Sequence, residues 1–164
     1  MDANTAALRE RSGRAVRARQ RNVLYVRAAV EDLPPELGGV ADRVTVVLPW
    51  GSLLAAMAGP SSPHLRGVRG LCQPEARLTV LLAIDPGRDR TECLRLGLPD
   101  IDLAYARGPL AQAYAEAGFG RVSARALTAA ELSRWPSTWA RRLGRDPARS
   151  LIQLDARALR GPAA

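Results

Sequence analysis

The chain has 164 residues, 47% of them hydrophobic, which is enough for one domain with a substantial core and too few for two ordinary domains. All 24 basic residues are arginine, and the formal net charge of +8 favours a polyanionic partner such as RNA, whose phosphates dominate affinity. No apolar run approaches the roughly 18 residues of a membrane span, the N-terminus lacks a signal-peptide core, and Cys72 and Cys93 with the single His64 support neither a disulfide framework nor a zinc site, so a soluble cytoplasmic protein without bound metal is expected.

Asp2 to about Arg19 carries Ala7, Leu8, Ala15 and Val16 at helical spacing among arginines, and an amphipathic helix is expected. Arg9, Arg11, Arg14, Arg17, Arg19 and Arg21 make its polar side either a solvated face or a patch that tracks phosphates. Asn22 to Ala28 reads as a strand, residues 31 to 37 as a loop with a possible helical turn, and Gly38-Gly39 as a break. Asp42 to Leu48 is an apolar, β-branched strand expected to be buried on both faces, and it stops at Pro49-Trp50-Gly51. Ser52 to Ala58 is a helix closed by Gly59-Pro60, and Leu65 to Leu71 a shorter one. Ala76 to Ile84 is a second central strand, entered by a turn at Cys72-Gln73-Pro74 and ended by Asp85-Pro86-Gly87. Thr91 to Leu96 reads as a helix. Gly108 to Ala117 is a helix with Pro109 in its first turn and Gly118 at its C-terminal cap. Gly120 to Leu127 is a strand, Thr128 to Glu131 a capping box that opens a short helix, and Trp139 to Leu143 another short helix. Arg149 to Ala156 alternates well enough for an antiparallel or edge strand.

The succession predicts an α/β doubly wound sheet without a glycine-rich strand-to-helix turn, since Gly38-Gly39 precedes a strand. Three stretches could carry chemistry. Residues 28 to 32 offer backbone amides and a carboxylate to a ribose or adenine, or form an acidic solvent loop. Trp50 at a strand end is a stacking platform or a core side chain. Ser137 to Leu143, with Arg145 and Arg149 beyond, puts an indole and guanidinium groups within one helical turn, which suits an unstacked base beside phosphate. A base lifted from an RNA helix and held between two aromatic rings would use both tryptophan sites. No nucleophile, histidine and carboxylate set is present, whereas methyl transfer needs mainly an aligned nitrogen.

The blocks NVLYVRAAVEDLPPEL, ADRVTVVLPWGSLL and STWARRLGRDPARS resemble, in order and separation, the S-adenosylmethionine-dependent 16S rRNA adenine N1-methyltransferases of the Kam and Npm type, which confer aminoglycoside resistance by acting at adenine 1408 of the decoding site in the 30S subunit. LPWGSLL and the Trp-Ala-Arg-Arg-Leu run are the specific parts. The strand-rich parts would fit any class I methyltransferase. The resemblance implies that Trp50 and Trp139 sandwich the flipped adenine with Ser137 nearby. It also implies that Ala29 and Glu31 line the cofactor's adenine pocket, with Asp2 on its ribose. Arg11, Arg14, Arg17, Arg142 and Arg149 would contact rRNA.

The family places a first strand, a Gly-Asp-Gly loop and a second strand before the position of Asp2. Residues 1 to 164 are accordingly expected to be the C-terminal portion of a single methyltransferase domain. The expected fold is a Rossmann-like class I sheet with helices on both faces, lacking the first strand, the glycine-rich loop and the second strand. Poor folding and no measurable cofactor binding are expected of the chain alone. The other readings are a non-catalytic arginine-rich RNA-binding remnant, and a methyltransferase of the same group with another RNA or a small-molecule substrate.

Overall fold

The computed structural model describes residues 5–60, 63–143, 146 and 148–160. It opens with helix α1 (Thr5–Arg17), whose apolar residues Leu8 and Ala15 are buried while Arg11, Arg14 and Arg17 are exposed. A 3-10 turn at Pro35–Leu37 then leads to strand β1 (Ala41–Val47). Helices α2 (Ser52–Ala58) and α3 (Pro63–Gly70) carry the chain across the sheet to the long strand β2 (Cys72–Ile84). Three helices follow: α4 (Arg90–Arg95), α5 (Leu103–Arg107) and α6 (Pro109–Glu116). Strand β3 (Phe119–Ala126), the short helices α7 (Ala129–Ser133) and α8 (Thr138–Leu143), and strand β4 (Ser150–Ala158) complete the order.

The sheet order is β1-β2-β4-β3. β1 and β2 run parallel, with Val46 opposite Val80 and Val47 opposite Leu81. β4 is antiparallel to both of its neighbours, β2 and β3. Side chains alternate across a strand, so β2 feeds two separate cores. Leu78, Val80, Leu82 and Ile84 join Ile152 and Leu154 of β4 under α2, α3, α5 and α6, where Leu54, Met57, Leu65, Ala106, Leu110 and Tyr114 complete the main core. Leu81 points the other way, into a smaller cluster with Leu127, Leu132 of α7 and Ala140 of α8. Helices therefore cover both faces, as expected.

The carbonyls of the last turn of a helix lack intrahelical donors. In α2 they are satisfied from the next layer: the Tyr114 hydroxyl donates to the Met57 carbonyl at 2.9 Å, and the Tyr105 hydroxyl donates to the Ala58 carbonyl at 2.8 Å. Burial raises both phenols, Tyr105 to about 12, so each stays a neutral donor. The C-terminal end of α2 is thereby tied to the core.

Several expectations need correction. Asn22 to Ala28 forms no strand of the sheet: residues 23–26 have no regular structure, and Leu24 is 79% exposed. A strand needs a neighbour along its length to satisfy its amides; in this segment Arg27 alone makes a bridge, and none of the described strands of the sheet includes it. β1 is an edge strand instead of one buried on both faces. It pairs with β2 alone among the described strands; Val44 and Val46 pack on the core while Asp42, Arg43 and Thr45 are exposed. β2 starts at Cys72, earlier than expected, because a bulge with Glu75 at φ 65° absorbs the Pro74 region and resets the register from Ala41 opposite Cys72 to Arg43 opposite Arg77. Helix α5 was not anticipated; its signal is Asp102, whose carboxylate accepts the Tyr105 amide at 2.7 Å as an N-cap. β4 is antiparallel, as expected, and lies inside the sheet.

Candidate functional site

The rim beyond β1 is a turn bounded by two positive φ angles. Leu48 sits at φ 53°, held there by its amide donating to the Leu81 carbonyl at 2.9 Å, and Gly51 sits at φ 59° before α2 begins. A non-glycine residue in the left-handed region costs on the order of 1–3 kcal/mol and persists only where its surroundings enforce it. A Cβ on Gly51 would meet nothing within 4 Å, so glycine is needed there for its backbone angle and not for space. Between them Pro49 is buried and Trp50 is 54% exposed. The rim turns its indole to solvent.

The second indole is built by the opposite route. Thr128 and Glu131 form a reciprocal capping box: the Thr128 hydroxyl accepts the Glu131 amide at 3.2 Å, and the Glu131 carboxylate accepts the Thr128 amide at 2.8 Å. Arg125 adds an ion pair to Glu131 at 2.7 Å. The Thr128 amide, then Arg125 and the Thr128 hydroxyl, lower this carboxyl to about 2. After α7, Trp135 packs half-buried on the smaller core, and Ser137 caps α8 by accepting the Ala140 amide at 3.3 Å. Ala140 is buried; its neighbour Trp139 is 59% exposed. Arg142 lies one turn on, its guanidinium carbon 5.3 Å from the Trp139 ring centre.

Both platforms rest on one support. Leu48, beside the first rim, and Ala140, beside Trp139, pack against the same cluster of Leu81, Leu127 and Leu132. The loop of residues 29 to 32 meets the start of α2, after the Trp50 rim, through Glu31 and Ser52. An isolated bridge pairs Ala29 with Asp32, Val30 is buried in the main core, and Glu31 is left exposed. A hydrogen bond from the Ser52 side chain holds the Glu31 carboxyl below the usual carboxylate range, with the loop's own backbone amide assisting. Ser52 opens α2 directly behind Trp50 and Gly51. An ionised acceptor and half-buried Ala29 at this spot fit the adenine end of a nucleoside cofactor. Asp2 lies outside the described residues.

The remaining expected residues are spread out. Arg11 and Arg17 are exposed on α1, and Arg14 pairs with Glu10 at 2.5 Å. Arg141 and Arg142 are exposed and take part in none of the ion pairs among the described residues. Arg149 departs from its expected place. Its side chain is 12% exposed and pairs with Asp89 at 2.7 Å, so it faces the protein and not a solvent-borne phosphate. Sequence reasoning passed over Asp85 and Asp89. The Asp85 carboxylate accepts the Gly87 and Arg88 amides at 2.9 and 3.0 Å, and these bonds, the Arg88 amide foremost, hold it below the usual range. The Asp-Pro-Gly-Arg-Asp run was the available signal, because aspartate side chains bond backbone two and three residues on in turns.

Among the described residues no group of three or more His, Cys, Asp or Glu side chains could hold a metal ion, and no helix is long and apolar enough to cross a membrane. Cys72 and Cys93 are free thiols, both pushed up by burial.

The chain is similar to several known proteins. A family model described as NpmA: 16S rRNA (adenine(1408)-N(1))-methyltransferase matches residues 1–158. A 16S rRNA (adenine(1408)-N(1))-methyltransferase of Streptoalloteichus hindustanus is 35% identical over 128 residues, covering 74% of this chain and 55% of that protein. The crystal structure of the aminoglycoside resistance methyltransferase NpmB1 is 41% identical and superposes with a TM-score of 0.77 over 96% of this chain and 73% of that one. A variant of the 16S rRNA (adenine(1408)-N(1))-methyltransferase from Catenulisporales acidiphilia, solved with cosubstrate SAM, is 28% identical with a TM-score of 0.73, covering 99% of this chain and 75% of that one. The chain spans between half and two thirds of the length of the curated relatives from Streptoalloteichus hindustanus and Escherichia coli that it matches.

Proposed function

The chain belongs to the 16S rRNA (adenine(1408)-N(1))-methyltransferase family, and from that premise we propose that it carries the substrate-binding half of an enzyme that methylates N1 of adenine 1408 in the 16S rRNA of the 30S subunit, giving aminoglycoside resistance. The site of action is the cytoplasm, where ribosomes are. S-adenosylmethionine, when bound, supplies the methyl group, and Ala29 and Glu31 would hold its adenine end, with Asp2 on the ribose. Trp50 and Trp139 hold the unstacked adenine between them, which fixes N1 in line for attack. Base-on-aromatic stacking is worth about 1–3 kcal/mol per base, enough to offset much of the cost of unstacking. The Ser137 hydroxyl, already accepting from the Ala140 amide, keeps its proton to donate to the base. Arg142 and Arg141 bind phosphate beside it, and the arginines of α1 extend the cationic surface. No covalent enzyme intermediate is required.

The observation that carries this reading is the pair of exposed indoles, 54% and 59% accessible, raised on one shared core cluster. Exposed indoles on rigid supports offer flat faces on which a base can stack. The experiment is methyl incorporation from labelled S-adenosylmethionine into 30S subunits by a full-length form that also carries the first strand and the Gly-Asp-Gly loop, mapped by mass spectrometry. Incorporation at N1 of adenine 1408, lost in both Trp50→Ala and Trp139→Ala, is expected. Modification at another nucleotide, or full activity in both variants, refutes it. Tight binding to 16S rRNA with no incorporation would favour a non-catalytic RNA-binding module.

A further inference from the structure

Between α8 and β4, Arg149 turns its guanidinium into the protein. Its Nη1 donates to the Ala83 carbonyl at 3.1 Å and to Asp89 Oδ2 at 2.7 Å, and the two side chains are 12% and 8% exposed. The same Asp89 oxygen accepts the Asp85 amide at 2.9 Å, so the carboxylate joins Arg149 to the turn that follows β2. Asp146, on the connection that Arg149 ends, accepts from Arg88 Nη1 at 2.6 Å and lies 3.6 Å from Arg149 Nε. Arg88 in turn stands 3.3 Å from Asp85. Two arginines and three aspartates thus clamp the exit of α8 onto the end of β2.

A phosphate could reach Arg149 only by displacing Asp89 from a nearly dry ion pair, and a charge left unpaired in a low-dielectric site is strongly unfavourable. Arg141 and Arg142 offer exposed guanidinium groups at no such cost. The entry of α8 is already held by Ser137 and Ala140. Its exit is held by this clamp, and a helix of six residues pinned at both ends has little freedom left.

We infer that Arg149 is a positioning residue and not an RNA contact: through Asp89 and the Ala83 carbonyl it fixes where α8 leaves the sheet, and so where Trp139 and Arg142 stand relative to Trp50. This rests on the reading of Trp139 as the base-stacking side chain.

The test is 16S rRNA binding by the full chain over a range of salt concentrations, in Arg149→Ala, Arg149→Lys, Asp89→Asn and the Asp89→Asn/Arg149→Ala double variant, with Arg142→Ala for comparison. Asp89→Asn and Arg149→Ala should weaken binding by similar factors, the double variant no more than either. The slope of log affinity against log salt should stay that of the unsubstituted chain, whereas Arg142→Ala flattens it by about 0.7–0.9. Arg149→Lys should behave like Arg149→Ala, because the lysine nitrogen ends one bond short of the place where Nη1 makes both contacts. A flattened slope in Arg149→Ala with Asp89→Asn silent, or rescue by lysine, overturns the inference. A second readout needs no RNA: with Trp50→Phe and Trp135→Phe leaving Trp139 as the single indole, acrylamide quenching should change in Asp89→Asn and Arg149→Ala alike and stay constant in Arg141→Ala. Unchanged quenching in both overturns the inference. Failure of the unsubstituted chain to bind RNA counts against the proposed function and leaves quenching to decide the role of Arg149.

Discussion

Arg142 rests over the ring of Trp139, 5.3 Å from its centre, so one face of the indole is covered by a guanidinium group. At an exposed site such a contact is worth about 0.5–1 kcal/mol, less than a charge-assisted hydrogen bond to phosphate. The arginine can therefore leave the ring when RNA arrives. Arg142→Ala should weaken 16S rRNA binding, flatten its salt dependence by about 0.7–0.9 in log-log slope, and leave folding stability within about 0.5 kcal/mol of the parent. Salt titration and urea unfolding of the same sample check both halves.

The indoles and their support should separate cleanly on substitution. Trp50→Ala and Trp139→Ala remove side chains that are more than half exposed, so unfolding should shift by only about 0.5 kcal/mol while RNA binding falls. Leu132→Ala empties a fully buried position in the cluster beneath them and should cost about 2–5 kcal/mol. Urea unfolding of the three variants distinguishes platform from support.

Tyr114→Phe deletes the hydroxyl that donates to the Met57 carbonyl and leaves that buried acceptor unpaired. A loss of about 1–3 kcal/mol is expected, read as a lower thermal midpoint, with little change in overall secondary structure by circular dichroism.

Glu131 links stability to acid. Its folded carboxyl is held at about 2 by the Thr128 amide and by Arg125, against 4.5 for the free group. A group depressed on folding contributes stability that is fully present above its unfolded value and is lost as pH falls toward the folded one. The α7 cap should therefore weaken progressively between about pH 5 and 2. Glu131→Gln removes this contribution at neutral pH and should flatten the midpoint-against-pH curve across that window.

Much of the architecture could be read from local chemistry. The apolar run ending in Pro49-Trp50-Gly51, the Thr128 and Glu131 capping box, and the Pro109 and Gly118 bounds of α6 each depend on backbone rules that act within a few residues. The two indoles and the arginines of α8 were legible as a base-binding set for the same reason, since their types and spacing carry the chemistry. What local rules could not supply was burial and partnership. β1 reads as a doubly buried strand, yet its surroundings are set by which strand lies alongside, and among the described residues only β2 does. Asn22 to Ala28 has strand-forming residues, yet it joins none of the described strands of the sheet. Arg149 looks like one more surface cation until Asp89, sixty positions earlier, is brought to 2.7 Å by the fold. Charge in a sequence has a sign and no address: whether a guanidinium meets phosphate or a buried carboxylate depends on desolvation and on groups distant along the chain, which only the packed fold brings together.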